Sequence, residues 1–162
     1  MFKPDVNQEY QILFLNFIQD QQLLLVFFMN LEEEKIVLFD GVCNYCNAMI
    51  NLAIRNDKKS VLKFATLQSE TGKQLKSKYH VPSEIDSVIF IENGKVYTYS
   101  DAAIRIARYL RWPAKALFGL IIIPKFIRQP VYKWIAKNRY KWFGKKDECI
   151  VPGPGIKPRF LE

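Results

Sequence analysis

Between residues 35 and 110 the hydrophobic pattern switches back and forth between two periods. Lys35-Ile36-Val37-Leu38-Phe39 is a short, nearly continuous apolar run, the mark of a strand buried on both faces. Behind it Ile50, Ala53 and Ile54 recur at helical spacing on one face. Val61 to Thr66 returns to a strand pattern, and a helical crossover between two strands makes them parallel. Ser69 is placed to cap a short polar helix carrying Leu75 and Tyr79, which Pro82 closes. Ser87 to Glu92 and Lys95 to Tyr99 flank Asn93-Gly94, a strong signal for a two-residue β-hairpin. Ser100 then stands where it can cap a helix burying Ala103, Ile106, Ala107 and Leu110, with Asp101 favourable in the first turn. Strand, helix, strand, helix, hairpin, helix predicts an α/β domain around a mixed sheet of about four strands.

The regions on either side differ in character. Ile12 to Leu15 and Leu23 to Phe28 are apolar but split by Gln19-Asp20-Gln21-Gln22, which leaves no uninterrupted span of about 20 apolar residues. Asp5 and Glu9 stand where a signal peptide would be basic. Residues 1–28 are therefore expected to be an extension loosely attached to the domain or sequence not natural to it, with the core running over residues 29–111. Residues 112–149 read as a basic, aromatic helical extension of the same domain. Residues 150–162, rich in Pro and Gly, read as a flexible tail.

Charge sharpens this division. The net charge is +8, but residues 1–101 carry 10 basic and 13 acidic side chains, while residues 102–162 carry 14 and 3. Pro130 can open a helix in which Val131, Trp134, Ile135 and Trp142 share a face, with Lys133, Lys137 and Lys141 opposite. The plain expectation is a helix docked on the domain by its apolar side, with its basic side in water. A weak contact with an anionic membrane surface is the alternative that basic charge mixed with aromatics supports. Nucleic acid is a poorer fit, since no recognised binding motif accompanies the charge.

Candidate chemistry sits where the first strand meets the first helix. Cys43 and Cys46 fall on the first helical turn. There the unpaired N–H groups and the positive end of the helix dipole stabilise a thiolate, the form that attacks a disulfide. The spacing lets the second thiol reach the first, so a mixed disulfide at Cys43 can be resolved by Cys46. On this reading Cys43 is the nucleophile and the more exposed sulfur. A zinc half-site is one alternative, with His80 and Cys149 as the remaining ligands, both distant in sequence; two buried cysteines without chemistry are another. Asp40, three residues before Cys43, could accept the proton of Cys46 during exchange or cap the helix by accepting backbone N–H bonds. His80 reads as a surface or loop residue and Cys149 as a structural or free thiol. Three cysteines are too few for a disulfide scaffold, so a reducing cytosol is the expected compartment. Neither a cofactor nor a metal is expected.

The string Asp40-Gly41-Val42-Cys43-Asn44-Tyr45-Cys46 resembles the Asp-x-x-Cys-x-x-Cys signature of the DCC family, described as thiol-disulfide oxidoreductase-like. Ser100-Asp101-Ala102-Ala103 resembles the helix opening after that family's hairpin. Asn138-Arg139-Tyr140, Phe143-Gly144 and Asp147-Glu148-Cys149 resemble its C-terminal end. A cysteine pair after the first strand of the predicted order describes the thioredoxin fold without its extra N-terminal strand and helix, and the resemblance implies thiol-disulfide exchange, with a protein or small-thiol disulfide as partner. Against ordinary thioredoxins, the hairpin places Asp86 where a cis-proline is expected. A cis bond before a non-proline residue costs about 3–4 kcal/mol, so Ile85-Asp86 should be trans. Asn44-Tyr45 between the cysteines leaves the potential anywhere within roughly −270 to −120 mV.

Overall fold

Five buried or half-buried residues, Lys35–Phe39, form the first strand, β1, of a computed structural model that describes residues 34–145 and 155–161. The expectations for residues 1–28 and for Cys149 lie outside the described residues. Helix α1 follows (Asn44–Asn56), then β2 (Leu62–Thr66), α2 (Glu70–Lys78), β3 (Ile89–Glu92), β4 (Lys95–Thr98) and α3 (Tyr99–Ala107). A 3-10 segment (Ala114–Ile122) and a long helix, α4 (Lys125–Phe143), complete the main body. Residues 34–162 form one compact unit.

The sheet runs β2-β1-β3-β4, with β1 parallel to β2 and antiparallel to β3, and β3 antiparallel to β4. This mixed, open, four-stranded sheet with flanking helices is thioredoxin-like. β1 is central, and Ile36, Val37 and Leu38 are wholly buried, as its unbroken apolar run requires. Val37, Phe39, Phe64 and Phe90 meet Ile50 and Ala53 of α1 and Ala102 and Ile106 of α3 in one core. The hairpin between β3 and β4 turns through Asn93 (φ 51°) and Gly94 (φ 72°), both left-handed, which is why Asn-Gly suits it. Ser69 caps α2 by accepting the Gly72 N–H at 3.1 Å. The Ile85-Asp86 bond is trans.

Four local expectations are corrected. α3 begins at Tyr99 without a side-chain cap, because Ser100 is buried and its hydroxyl is taken by Gln129 and Arg128 of α4. Its buried face is Ala102, Ile104, Ile106 and Ala107 with Leu110, while Ala103 is exposed. α4 starts five residues before Pro130, whose missing N–H costs one bond inside the helix rather than opening it. Residues 155–161 do not behave as a free tail. Leu161 N–H bonds the Phe64 carbonyl at 2.8 Å, Phe160 packs on the Phe39 and Phe64 rings, and Arg159 pairs with the buried Asp57 at 2.5 Å. Burying Asp57 without that cation would strand a charge, and this explains why the end of the chain is held on β2.

The largest departure concerns α4. It turns Arg128, Tyr132 and Arg139 toward the domain and leaves Val131, Trp134 and Trp142 exposed, the reverse of the docking expected from its apolar face. Arg128 and Arg139 are drawn inward because each meets a carboxylate, Asp101 at 2.5 Å and Asp40 at 3.0 Å. Two partnered cations outweigh the helix's apolar stripe.

Candidate active site

β1 ends at Phe39 and α1 begins at Asn44, so Asp40 to Cys43 form the turn that carries the chain from sheet to helix. Cys43 is the N-cap residue: it is extended (φ −84°, ψ 117°) and its sulfur accepts the backbone N–H of Cys46 at 3.1 Å. Its carbonyl accepts the Asn47 N–H at 2.9 Å, the first bond of the helix. The sulfur thus stands at the positive end of α1 with a donor aimed at it, an arrangement that favours negative charge on sulfur. Both cysteines are free thiols. Burial, then the hydrogen bond and charge of the Cys43 sulfur, push the Cys46 thiol well above its usual range; nearby Arg139 pulls it the other way. Cys46 is therefore the sulfur that keeps its proton.

Access is the opposite of the sequence expectation. Cys43 is 0% exposed and Cys46 is only partly buried. The cover is the end of α4: Lys145 forms an isolated β-bridge with Cys43, Asn44 donates to the Phe143 carbonyl at 2.9 Å, and Phe143 stacks on Tyr45 at 4.9 Å. Gly144 turns the chain across the site with φ 77°, a conformation that favours glycine. Nothing in the local pattern of residues 40–46 could signal a cover that arrives from 99 residues further on.

Asp40 is 2% exposed and fully engaged. Its Oδ1 accepts the Val42 N–H at 3.2 Å and the Gln68 amide at 2.9 Å, while Oδ2 accepts Arg139 Nη2 at 3.0 Å and the Tyr140 hydroxyl. It does not cap α1, since the N–H it takes belongs to the preceding turn and the cap is Cys43. Gln68 also accepts the Gly41 N–H at 3.1 Å, and Asn47 donates to the Gly41 carbonyl at 2.8 Å, so α1 and the turn after β2 both fix this segment. Arg139 Nη2 further reaches the Asp86 carbonyl at 3.0 Å and its carboxylate at 3.3 Å. The position where a cis-proline was expected thus presents its carbonyl to Arg139. Burial works against the Arg139 charge, but the bond to the Tyr140 hydroxyl and the Asp86 carboxylate help outweigh it, and its pKa is raised. Burial and the bond to Asp40 push Tyr140 up to about 12.

The ligand atoms of Asp40, Cys43 and Cys46 lie within 4.8 Å of one another, close enough to suggest a cation site. Asp40 argues against it: a carboxylate offers about four acceptor positions, all four are filled, and one holds a guanidinium. A metal ion would have to displace that charge. His80 is exposed and stands outside this group. The donor set suits a dithiol better than a metal.

Sequence reasoning found the two cysteines, Asp40 and the position of Asp86, but not Gln68 or the roles of Arg139 and Tyr140. Arg139 is one of 12 Lys or Arg between residues 102 and 146, and charge alone does not separate it from the rest. The only linear signal was its place in Asn138-Arg139-Tyr140.

Comparison with known proteins agrees with this geometry. The DCC1-like thiol-disulfide oxidoreductase family matches residues 37–145. The chain is 50% identical over 128 residues to the uncharacterized protein YuxK of Bacillus subtilis (strain 168), covering 78% of this chain and 93% of that protein. It is 40% identical over 122 residues to a DCC family protein of Arabidopsis thaliana described as chloroplastic, covering 73% of this chain and 71% of that one. No solved structure is a significant match. With Asp40, Cys43 and Cys46 in one cluster inside the matched segment, the chain belongs to the DCC1-like thiol-disulfide oxidoreductase family.

Proposed function

We propose that the protein exchanges thiols and disulfides through Cys43 and Cys46, with a protein or small-thiol disulfide as substrate. The observation that carries this reading is the asymmetry of the pair: a sulfur at the helix N-cap that accepts an N–H, beside a thiol that burial keeps protonated. Cys43, as thiolate, attacks one sulfur of the substrate disulfide. A Cys43–substrate bond forms, the substrate S–S bond breaks, and one substrate thiolate leaves. Cys46 then gives up its proton and attacks the Cys43 sulfur, so that a Cys43–Cys46 disulfide forms and the second substrate thiol departs. The substrate gains two electrons and the dithiol loses two; reversing the steps oxidises a dithiol substrate.

Asp40 is the acceptor for the Cys46 proton in this scheme. Its ligand oxygen lies within 4.8 Å of both sulfurs. A free lone pair is needed, and Tyr140 is the donor that can swing away without breaking an ion pair.

Cys43 must also become reachable. One side-chain hydrogen bond, one aromatic stack and the backbone bridge hold the cover. Together these are worth about 2–4 kcal/mol, which corresponds to an open population of roughly 0.1–3%. Displacing the cover is a reversible step, and once it moves the Cys43 sulfur, at the helix N-cap with the Cys46 N–H aimed at it, is the better placed nucleophile.

Alkylation of the reduced protein near neutral pH, read by mass spectrometry, tests the assignment together with insulin reduction by the wild-type, Cys43→Ser and Cys46→Ser proteins. Labelling at Cys43 first, and a mixed disulfide that accumulates only in Cys46→Ser, is the expected result. Labelling at Cys46 first would reverse the roles, and a wild-type protein inactive toward every disulfide tried would remove the exchange reading.

A further inference from the structure

Residues 112–143 present an apolar surface that no other described residue covers. Trp112 is 71% exposed, Ile122 84%, Phe126 76% and Trp134 60%. Ile122 closes the 3-10 segment, none of whose residues is buried; Phe126 and Trp134 belong to α4, which also exposes Ile127, Val131 and Trp142; Trp112 lies in the turn just before the 3-10 segment. Isolated exposed apolar residues are ordinary on a protein surface, but so many large ones on consecutive stretches of chain are not. Each large side chain left in water forgoes the stabilisation that burial would bring. The fold accepts this because Arg128 and Arg139 take the inward side of α4.

The surroundings of this surface are cationic. From residue 102 to residue 146 there are 12 Lys or Arg and no Asp or Glu. Lys115, Lys133, Lys137 and Lys141 are exposed beside the apolar stripe. A cleft of about 370 Å³ opens beside Ile121 and Ile123, and the arginines that line it, Arg105 and Arg128, are already paired with Glu92 and Asp101, so the charge offered to a partner is that of the exposed lysines. No described helix is long and apolar enough to cross a membrane.

We propose that this face docks on the surface of an anionic lipid bilayer. Ile122, Phe126 and Leu120 enter the boundary between headgroups and acyl chains, the tryptophans sit at headgroup depth, and the flanking lysines meet lipid phosphates. Nucleic acid would use the charge but leave the aliphatic stretch Leu120–Ile123 without a role. An acidic protein surface would have to match both a cationic rim and an unusually large aliphatic centre. A lipid surface satisfies both with no specific shape. The proposal does not depend on the exchange chemistry, although Trp142 and Phe143 join this face to the cover over Cys43.

The three tryptophans of the chain, Trp112, Trp134 and Trp142, all lie on this face, so intrinsic fluorescence reports on it alone. The full-length reduced protein is titrated with vesicles of phosphatidylcholine and with vesicles in which about a third of the lipid is phosphatidylglycerol. Binding is followed by tryptophan emission and by co-sedimentation. The expected result is a blue shift and sedimentation with the anionic vesicles only, weakened by salt. Lys137→Gln and Lys141→Gln should each lower partitioning about fivefold, since a lysine near an anionic surface contributes about 1 kcal/mol. Ile122→Glu with Trp134→Glu, both at exposed positions, should abolish it. Lys58→Gln with Lys59→Gln, in the loop after α1, should leave it unchanged. Failure to bind anionic vesicles would overturn the proposal. So would binding that survives the Ile122→Glu and Trp134→Glu changes, or a blue shift that follows protein concentration without lipid, which would make the occupant a second copy of the chain. Tighter binding of RNA than of anionic vesicles, lost in the same variants, would overturn it in favour of nucleic acid.

Discussion

Arg139 Nη2 donates to Asp40 Oδ2 at 3.0 Å across 99 residues of chain, and both side chains are almost wholly removed from water. This ion pair ties the turn before the redox-type dithiol to the last helix of the domain. It also places a fixed positive charge near Cys46. Because both charges are buried, the pair is better described as a mutual requirement than as a gain: each partner makes the other's burial tolerable.

Arg139→Ala should therefore be among the most damaging single changes in the protein. Removing one partner of a buried pair costs about 3–5 kcal/mol, and thermal unfolding should show a drop of roughly 10 °C. Arg139→Met combined with Asp40→Asn should recover part of that loss. If the single and double variants melt together, the pair carries no such coupling.

The Asp40 proposal divides into two kinetic steps. Asp40→Asn should slow resolution of the mixed disulfide and leave the first attack by Cys43 intact or faster, because a negative charge near the thiolate has gone. Tyr140→Phe frees a lone pair on Asp40 and should leave resolution unchanged or faster. Stopped-flow measurement separates the steps. An Asp40→Asn protein that is folded and resolves at the wild-type rate would reduce Asp40 to a partner of Arg139.

Access to Cys43 should depend on the cover rather than on the thiol. Asn44→Ala removes the bond to the Phe143 carbonyl, worth about 1 kcal/mol, and should raise the Cys43 alkylation rate about fivefold with little change in melting temperature. Phe143→Ala removes the stack on Tyr45 and should act in the same direction. A Cys43 rate insensitive to both changes would mean that something other than the end of α4 limits access.

Alkali should destabilise the protein in a redox-dependent way. Cys46 is raised from 9.0, and burial pushes Tyr132 up to about 12 from 10.0; Tyr140 moves to the same value. A group whose folded pKa is raised binds its proton more tightly when folded, so its stabilisation is complete below the unfolded pKa and is lost as pH rises toward the folded value. Tyr132 alone accounts for about 2 kcal/mol between pH 10 and 12 at 1.36 kcal/mol per pH unit. Melting temperatures of the reduced protein should fall from about pH 9, and those of the oxidised protein only from about pH 10, since its Cys46 no longer titrates. Identical profiles for the two forms would show that Cys46 carries no such shift.

The sequence by itself determined the elements and their order, because each rests on contacts made within a few residues. The period of Ile36 to Phe39, the spacing of Ile50, Ala53 and Ile54, the cap at Ser69 and the Asn93-Gly94 turn are local facts, and all stand in the structure. Placing Cys43 and Cys46 on the first turn of a helix was local in the same sense. What only the tertiary structure decided was everything set by groups far apart in the chain. Which sulfur is covered depends on Phe143 to Lys145, and what Asp40 binds depends on Gln68, Arg139 and Tyr140. The face of α4 was misread for the same reason. Helical periodicity locates an apolar stripe, but the inward side is chosen by whichever partners wait there, and here they are the carboxylates of Asp40 and Asp101. A buried cation with a carboxylate to meet can outweigh a tryptophan with only water to leave, and a linear pattern does not show which of the two a helix will find.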